Sequence, residues 1–191
     1  MEESGLIDAV KAGDKLAFGR LVDRYERSVF NACLGFAFNR EDAQDLAQEV
    51  FLEVFRSIHH FEGRSALGTW IHRIAVTKSL ELIRSRSRKK RAGQLLSLIG
   101  LQQAGWDPRA DEVDHPGIRL ENKERARHLY AAIDSLPEQQ RIAFTLSKID
   151  GRSYEEVAAI METSIPSVES LLFRAKRGLQ KKLTQFYQQD L

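Results

Sequence analysis

The spacing of the apolar residues constrains this chain more than any other feature. Within residues 41–58, one apolar side chain recurs at every fourth position: Leu46, Val50, Val54 and Ile58. A repeat of three to four residues places side chains on one face of an α-helix, whereas a half-buried strand requires alternation. The same repeat continues in residues 67–83 and again after residue 121, and no stretch alternates convincingly. We therefore predict an all-α fold.

Local signals indicate where the helices begin. Asp14 and Asn39 precede apolar helical patterns and are suited to be N-caps, because a short polar side chain can accept hydrogen bonds from the first free backbone amides. Ser153 and Glu156 have the spacing of a capping box. A short N-terminal helix over residues 6–11 precedes the pattern that begins at Asp14.

The second half of the chain predicts four helices. They cover residues 122–135, residues 137–149, a short segment after Ser153 and a longer one after Ser164. Only three residues separate the last two helices, which is typical of a helix-turn-helix unit. An αα-hairpin without a role in DNA binding is equally compatible with the spacing alone.

Glycine, proline and acidic residues interrupt the pattern between residues 92 and 120. Such a composition is typical of a linker. We therefore predict two small helical domains, residues 1–92 and residues 121–191, joined by a flexible linker, residues 93–120. The apolar patch at residues 95–101 is unusual for a solvated tether, so it either packs on a domain or is covered by a partner.

Composition argues against several functional classes. Cys33 is the only cysteine, so neither an intramolecular disulfide nor a multi-cysteine metal site is available. No signal peptide or membrane-spanning run is apparent, and we expect a cytoplasmic protein. His59 and His60 are adjacent, and neither His72 nor His115 has a companion at metal-ligand spacing, so we expect surface or promoter-proximal histidines. We expect no enzyme activity, metal or cofactor.

The helix predicted over residues 41–58 carries an acidic face. Glu41 and Asp42 lie in its first turn, where the helix dipole favours carboxylates, and simple helix stabilisation explains them. Gln48, Glu49 and Glu53 lie beyond that turn. A mid-helix face of acids and amides is suited to a basic partner.

The basic residues are concentrated farther along the chain. No Asp or Glu occurs between Glu81 and Asp107, whereas six of the eight residues at 84–91 are Arg or Lys. This run can neutralise several phosphates, although the formal net charge of the whole chain is only +2. A solvated helix end is the alternative interpretation.

The motifs of residues 45–91 resemble region two of bacterial sigma factors, specifically those of the extracytoplasmic-function (ECF) group. They are DLAQEVF at residues 45–51, Phe61, and TWIHRIA at residues 69–75, followed by the Arg-rich tail. In that family the first helix docks on the coiled-coil clamp of the beta-prime subunit of RNA polymerase. The following joint and the tryptophan helix open and read the minus-ten element of the promoter.

The resemblance implies a role for individual residues. It implies polymerase contacts from Asp45, Gln48, Glu49, Phe51 and Glu53. It implies minus-ten contacts from Phe61, Arg64, Trp70, Arg73, Thr77, Lys78, Arg84, Arg88 and Arg91. For Trp70, packing in the core is an equally good interpretation. Thr77 and Glu81 depart from the family pattern, which commonly has Asn and Asp there.

The second domain resembles region four of the same family, over residues 136–161 and 167–179. In that family the last helix enters the major groove of the minus-thirty-five element. The resemblance implies contacts from Ser153, Ser167, Glu169, Ser170, Phe173, Arg174 and Arg177. Glu169 and Leu171 replace the basic residue and the arginine that are usual in the family.

The sequence thus predicts a sigma factor whose partners are core RNA polymerase, through the beta-prime clamp and the beta subunit, promoter DNA and an anti-sigma factor. No small-molecule substrate is expected. One alternative is a helix-turn-helix regulator that binds DNA without being a polymerase subunit. Another is a helical adaptor that does not bind DNA.

Overall fold

Eight α-helices make up the part of the chain that the computed structural model describes, residues 3–98 and 123–189. The four helices of the first half are α1 Glu3–Lys11, α2 Lys15–Ala37, α3 Arg40–Ser57 and α4 Leu67–Leu98. Those of the second half are α5 Lys123–Asp134, α6 Glu138–Phe144, α7 Tyr154–Met161 and α8 Ile165–Gln189. No strand occurs in these two ranges, and the predicted all-α class is confirmed.

The predicted N-caps are confirmed. Asp14 accepts hydrogen bonds from the backbone amides of Leu16 and Ala17, at 2.8 and 3.2 Å. The Asn39 side chain accepts from the amide of Asp42 at 2.8 Å. These bonds satisfy amides that have no partner within their own helix, and they fix the first residues of α2 and α3.

The first half, α1 to α4, packs around one apolar core. Its most deeply buried members include Leu21 of α2, Val50 and Val54 of α3, and Ile71 of α4. Cys33 also lies in this core, and burial raises the pKa of its thiol to about 12. The thiol is therefore protonated and behaves as a small apolar side chain.

The second half contains the predicted helix-turn-helix. α7 starts at a capping box in which Ser153 Oγ accepts from the Glu156 amide and Glu156 Oε2 accepts from the Ser153 amide, at 3.2 and 2.9 Å. α7 ends at Met161 and is capped by Glu162, whose φ of 53° lies in the left-handed region. α8 begins three residues later and is the longest helix of this half.

A π-helical turn, Thr145–Ile149, follows α6 directly. The amide of Asp150 donates to the carbonyl of Thr145 across five residues, at 2.9 Å. Gly151, with a φ of 75°, then turns the chain away from the helix axis. The sequence predicted one regular helix over residues 137–149, and the structure adds this wider turn, which holds one residue more than an α-helical turn.

Helix α4 extends farther than the periodic pattern indicated. It continues through the basic run to Leu98, past residue 92, at which we predicted the end of the first domain. The remaining residues of the predicted linker, 99–120, lie outside the described part of the chain. The interpretation of the apolar patch at residues 95–101 therefore stays a prediction.

The two halves pack against each other, which the sequence did not predict. Phe36 of α2 and Leu80 and Ile83 of α4 share an apolar core with residues of α6, α7 and α8. Phe38, at the end of α2, lies in a second apolar cluster with residues of α5 and α8. The two predicted domains thus form one body in this structure.

Candidate functional site

Three polar side chains project from the outer face of α3. Asp45, Gln48 and Glu49 are all exposed. Asp45 and Glu49 have no ion-pair partner among the described residues. Their opposite face is the buried stripe of Leu46, Val50 and Val54, so these side chains are available to a partner without disturbing the core.

The two other residues expected at this docking surface, Phe51 and Glu53, are less exposed. Phe51 is only 8% exposed and belongs to the core of the first half. Glu53 is half-buried, and its carboxylate lies 3.4 Å from the Lys78 ammonium group. Phe51 therefore lies beneath the docking surface and is not one of its exposed side chains.

An apolar groove runs beside the acidic face, and sequence reasoning missed it as a site. It has a volume of about 870 Å³ and lies between α2 and α3, with Phe18, Phe30, Phe51 and Leu52 among its lining residues. Leu52 is 55% exposed and Phe55 is 43% exposed. Leu52 and Phe55 lie beside the buried stripe of α3. Large apolar residues outside the stripe are the sequence signal that could have indicated a second, exposed apolar face.

The joint after α3 is closed by aromatic packing. Phe61 is 6% exposed, and its ring lies 5.3 Å from that of Trp70. Lys11 Nζ donates to the carbonyl of Phe61 at 2.7 Å. Trp70 is half-buried against the same core. Phe61 is thus a core residue rather than a free platform for bases. Arg64 is exposed, and among the described residues it pairs with Glu62 alone, at 2.5 Å.

Two of the arginines expected at DNA are bound to the second half of the protein. Arg73 Nη2 donates to the carbonyl of Ala159 at 2.7 Å, and Arg73 Nη1 lies 2.8 Å from Glu162. Arg84 makes a two-pronged contact with Glu138, with donor–acceptor distances of 2.7 to 3.1 Å. The Arg84 side chain nevertheless stays 58% exposed, because only its Nε and Nη2 contact Glu138.

The remaining polar residues of α4 fall into two groups. Lys78 is shared between Glu53 and Glu81, and exposed Thr77 donates to the carbonyl of Arg73. Arg88, Lys89 and Arg91 are exposed and have no ion-pair partner within residues 3–98 and 123–189. Arg86, in contrast, pairs with Asp42 and with the carbonyl of Ala37. It ties the helix to the bundle, so only part of the basic run is available to a ligand.

The exposed face of α8 carries most of the residues expected at the minus-thirty-five element. Glu169, Ser170, Phe173, Arg174 and Arg177 are exposed, and Ser167 is half-buried. Phe173 is 63% exposed, and the Arg177 guanidinium lies 5.9 Å from the centre of its ring. Ser153 is exposed as well, although its hydroxyl is engaged as the N-cap of α7.

His72 is buried, so its expected surface position is wrong. Its Nδ1 lies 2.7 Å from the carbonyl of Gly68, and its Nε2 lies 2.5 Å from Arg152 Nη2. A carbonyl only accepts, so Nδ1 carries the proton and Nε2 accepts from the arginine. Burial, and then the adjacent guanidinium, lower the pKa of His72.

Arg152 also pairs with Asp150, at 2.8 Å, and with Glu156, at 3.1 Å. Burial raises the pKa of the Asp150 carboxyl, and the Arg152 guanidinium opposes that rise. The cluster joins α4 to the segment around α7 and holds a neutral imidazole between the two halves.

Within the described ranges, no three metal-binding side chains lie close enough together to hold an ion. In the same part of the chain, no helix is long and apolar enough to cross a membrane.

Comparison with known proteins gives two family matches. Residues 21–89 match Sigma-70 region 2, and residues 126–179 match Sigma-70 region 4. The RNA polymerase sigma-H factor of Pseudomonas aeruginosa is 31% identical over 189 residues, which cover 95% of this chain and 94% of that protein. The ECF RNA polymerase sigma-E factor of Haemophilus influenzae is 32% identical over 183 residues, with 96% of each chain covered. That of Escherichia coli K12 is 32% identical and covers 93% of this chain and 92% of its own.

Two solved structures have a similar fold. One is CnrH in complex with the cytosolic domain of CnrY, with a TM-score of 0.63, 23% identity, and coverage of 94% of this chain and 96% of that one. The other is the sigma factor RpoE in complex with the anti-sigma factor NepR from Bartonella quintana. Its TM-score is 0.57 at 22% identity, and it covers 87% of this chain and 96% of the other.

Proposed function

Because the chain belongs to the extracytoplasmic-function sigma factors of the sigma-70 family, we propose that it binds core RNA polymerase and directs it to specific promoters to initiate transcription. The order of the two matching regions, over nearly the full length of the relatives, carries this proposal. Region two occupies residues 1–92, region four residues 121–191, and a linker joins them. The protein acts in the cytoplasm as an initiation factor and not as an enzyme.

The polymerase docks on α3. Asp45, Gln48 and Glu49 provide a charged and hydrogen-bonding face, and exposed Leu52 and Phe55 provide an apolar one. Stable interfaces combine an apolar centre with a polar rim. A partner helix that carries arginines beside apolar residues would match both parts of this surface.

The minus-ten element is engaged by α4. Half-buried Trp70 offers an aromatic edge, and exposed Arg88 and Arg91 offer positive charge on the same helix. Single-stranded DNA is held by stacking on aromatic rings and by neutralisation of its backbone. Arg64, Arg73, Thr77, Lys78 and Arg84 complete this surface once the ion pairs of Arg73 and Arg84 are broken.

The minus-thirty-five element is bound by α8. A recognition helix needs exposed donors and acceptors near its N-terminus and basic residues along the same face. Ser170, Arg174 and Arg177 meet both requirements, and Phe173 offers an apolar contact for a thymine methyl group. Glu169 is positioned to accept from a cytosine amino group. The half-buried Ser167 and the N-cap Ser153 contact the phosphate backbone.

An anti-sigma factor is a further partner. The two structures of similar fold are complexes, one with the cytosolic domain of CnrY and one with the anti-sigma factor NepR. The apolar groove between α2 and α3 is open in the structure described here. A regulator that covers this groove would exclude the polymerase from the same surface.

The test is promoter-specific transcription. Purified protein is added to core RNA polymerase with fragmented genomic DNA of the source organism, and the 5′ ends of the transcripts are sequenced. We expect new start sites that share upstream elements. The Glu49→Lys variant is the matched control, because it reverses one charge of the α3 docking surface and leaves the residues of α4 and α8 unchanged. Tight DNA binding without new start sites would instead favour a conventional helix-turn-helix regulator.

A further inference from the structure

Main-chain hydrogen bonds hold the joint between α3 and α4, residues 61–66, at its two ends. The Phe61 amide donates to the carbonyl of Ile58 at 3.0 Å, and the Ala66 carbonyl accepts from an amide in the first turn of α4 at 3.2 Å. The middle of the joint is exposed, and its glycine, Gly63, has a φ of 74°. Glycine adapts to many backbone conformations. These end contacts alone therefore do not fix the path of the joint.

A lysine of the N-terminal helix reaches the start of the joint. Lys11, in the last turn of α1, donates through Nζ to the carbonyl of Phe61 at 2.7 Å, across 50 residues of sequence. The distance is that of a charge-assisted hydrogen bond, which is stronger than one between neutral groups. The Phe61 ring packs against that of Trp70, with centroids 5.3 Å apart. Both the main chain and the side chain of the first joint residue are therefore held.

The same helix supports the other end of the joint through Tyr25 of α2. Glu3 Oε1, in the first turn of α1, accepts from the Tyr25 hydroxyl at 2.7 Å. Burial raises the pKa of Tyr25 to about 12, so the hydroxyl keeps the proton that it donates. The Tyr25 ring lies against the start of α4, where a Cβ atom added at Gly68 would be 3.2 Å from Cε1 of the ring. Thus α1 contacts the structure on both sides of the joint.

The helix that makes these contacts is itself fixed on the first half. Leu6 and Val10 of α1 are 6% and 3% exposed and belong to the core of that half. After α1, the Asp14 amide donates to the carbonyl of Ala9 at 3.0 Å, so the chain turns directly into α2. The match to Sigma-70 region 2 begins at residue 21, beyond this helix. The support that α1 gives to the joint therefore comes from outside the matched region.

We propose that α1 is a positioning element for the joint and that Lys11 is its positioning residue. The Lys11 ammonium group holds the Phe61 carbonyl, and this keeps the exposed Arg64 and the edge of Trp70 in the arrangement that takes single-stranded minus-ten DNA. A joint that is ordered before binding loses less conformational entropy when the DNA binds. This role rests on the proposed function, which assigns the joint to that DNA.

Three variants at two lysines isolate the contact. Lys11→Met removes the ammonium group and keeps an unbranched side chain of similar helix propensity. Lys11→Arg supplies a charged donor again and is the rescue variant. Lys15→Met is the matched control, because it makes the same substitution at an exposed lysine that has no ion pair or side-chain hydrogen bond within residues 3–98 and 123–189.

Order in the joint is measured by limited trypsin digestion of the free protein. Trypsin cleaves after the exposed Arg64 of the joint and after the exposed Arg177 of α8, which is the internal reference. Cleavage follows the fraction of chains in which the site is open. We expect the ratio of Arg64 to Arg177 cleavage to rise roughly tenfold in Lys11→Met, the effect of one charge-assisted hydrogen bond.

The ratio should stay at the parent value in Lys11→Arg and in Lys15→Met. An unchanged ratio in Lys11→Met would overturn the proposal. The same conclusion holds if both sites are cut faster by an equal factor, because that result indicates a general loss of stability and no specific effect on the joint.

The consequence for DNA is measured with core RNA polymerase bound to each variant. The probe is a fluorescent single-stranded oligonucleotide that carries the minus-ten element of a promoter mapped in the transcription assay. We expect Lys11→Met to bind it roughly tenfold more weakly at unchanged affinity for core polymerase, and Lys11→Arg to bind it like the parent. No loss on the oligonucleotide, or an equal loss of polymerase affinity, would overturn the positioning role. The digestion uses neither polymerase nor promoter, so an absence of new start sites is a separate result that concerns only the proposed function.

Discussion

Reversing the charge of Asp45 and Glu49 to Lys separates docking from folding. Both side chains are exposed, neither has an ion-pair partner among the described residues, and both lie beyond the first turn of α3. The helix dipole acts mainly within that first turn. Each reversal should therefore change the free energy of unfolding by no more than about 0.5 kcal/mol, typical of surface substitutions. The melting temperature should shift by less than about 4 °C.

The expected loss of polymerase affinity is much larger. Removing one partner of a desolvated, hydrogen-bonded charge pair costs about 2 to 5 kcal/mol. Two such pairs amount to at least about 4 kcal/mol, and each 1.4 kcal/mol is a factor of ten, so affinity should fall by roughly a thousandfold. Reversal adds repulsion to this loss if the clamp is basic.

The assay is fluorescence anisotropy of labelled protein titrated with core RNA polymerase, beside a thermal melt of each variant. Asp8→Lys with Asp23→Lys is the control, because it makes the same change in net charge on exposed residues of α1 and α2. The control should bind like the parent. A double variant at Asp45 and Glu49 that keeps its affinity but melts much earlier would refute docking and assign these acids to helix stability.

Three further predictions concern charge. Burial lowers the pKa of His72, so the unfolded chain takes up a proton there at a higher pH than the folded protein does. The stability that the neutral imidazole contributes should therefore be complete above pH 6.5 and be lost as pH falls below it, which urea denaturation at a series of pH values measures. Asp150, whose pKa burial raises, opposes this loss only at more acidic pH. Changing Arg88 and Arg91 to Ala should reduce the salt slope of holoenzyme binding to duplex promoter DNA by about 2 units, measured as log affinity against log salt, and an unchanged slope would remove them from the interface. Glu169→Lys should change which minus-thirty-five sequence is preferred in a binding selection, whereas equal loss on all sequences would indicate simple misfolding.

Features with local causes could be predicted from the sequence. Asp14 caps α2 through amides two and three residues away, and the Ser153 capping box spans three residues. Such contacts depend only on side-chain type and spacing, so a pattern is sufficient to find them. The same holds for the acidic face of α3, because the helix repeat alone turns Asp45 and Glu49 away from the buried stripe.

Contacts between the halves could not be predicted in the same way. Arg84 meets Glu138 across 54 residues, His72 meets Arg152 across 80, and Arg73 meets the carbonyl of Ala159 across 86. Nothing in the spacing of α4 indicates which distant side chain will face it. From the sequence alone, each arginine is also readily interpreted as a surface charge and His72 as a free histidine. Without a known tertiary contact, those interpretations are the ones chosen.

Helix faces were harder to assign where two apolar surfaces share one helix. The buried stripe of α3 was identified by its fourfold repeat, but Phe51 is buried as well and Phe55 is 43% exposed. Both are large apolar residues beside the same stripe, and the repeat does not distinguish them. Their burial is decided by which neighbouring helices cover each edge of α3.

The π-helical turn at Thr145–Ile149 implies that the contact between the halves depends on how many residues this turn holds as well as on which residues they are. A π turn holds one residue more than an α-helical turn. Deleting a single residue there would leave a regular helix and rotate everything beyond it by about 100°. Asp150 and Arg152 would then point away from His72, although no side chain of either surface had been changed. An insertion or a deletion in these five residues therefore rotates the following residues relative to the first half. A point substitution there does not change this rotation.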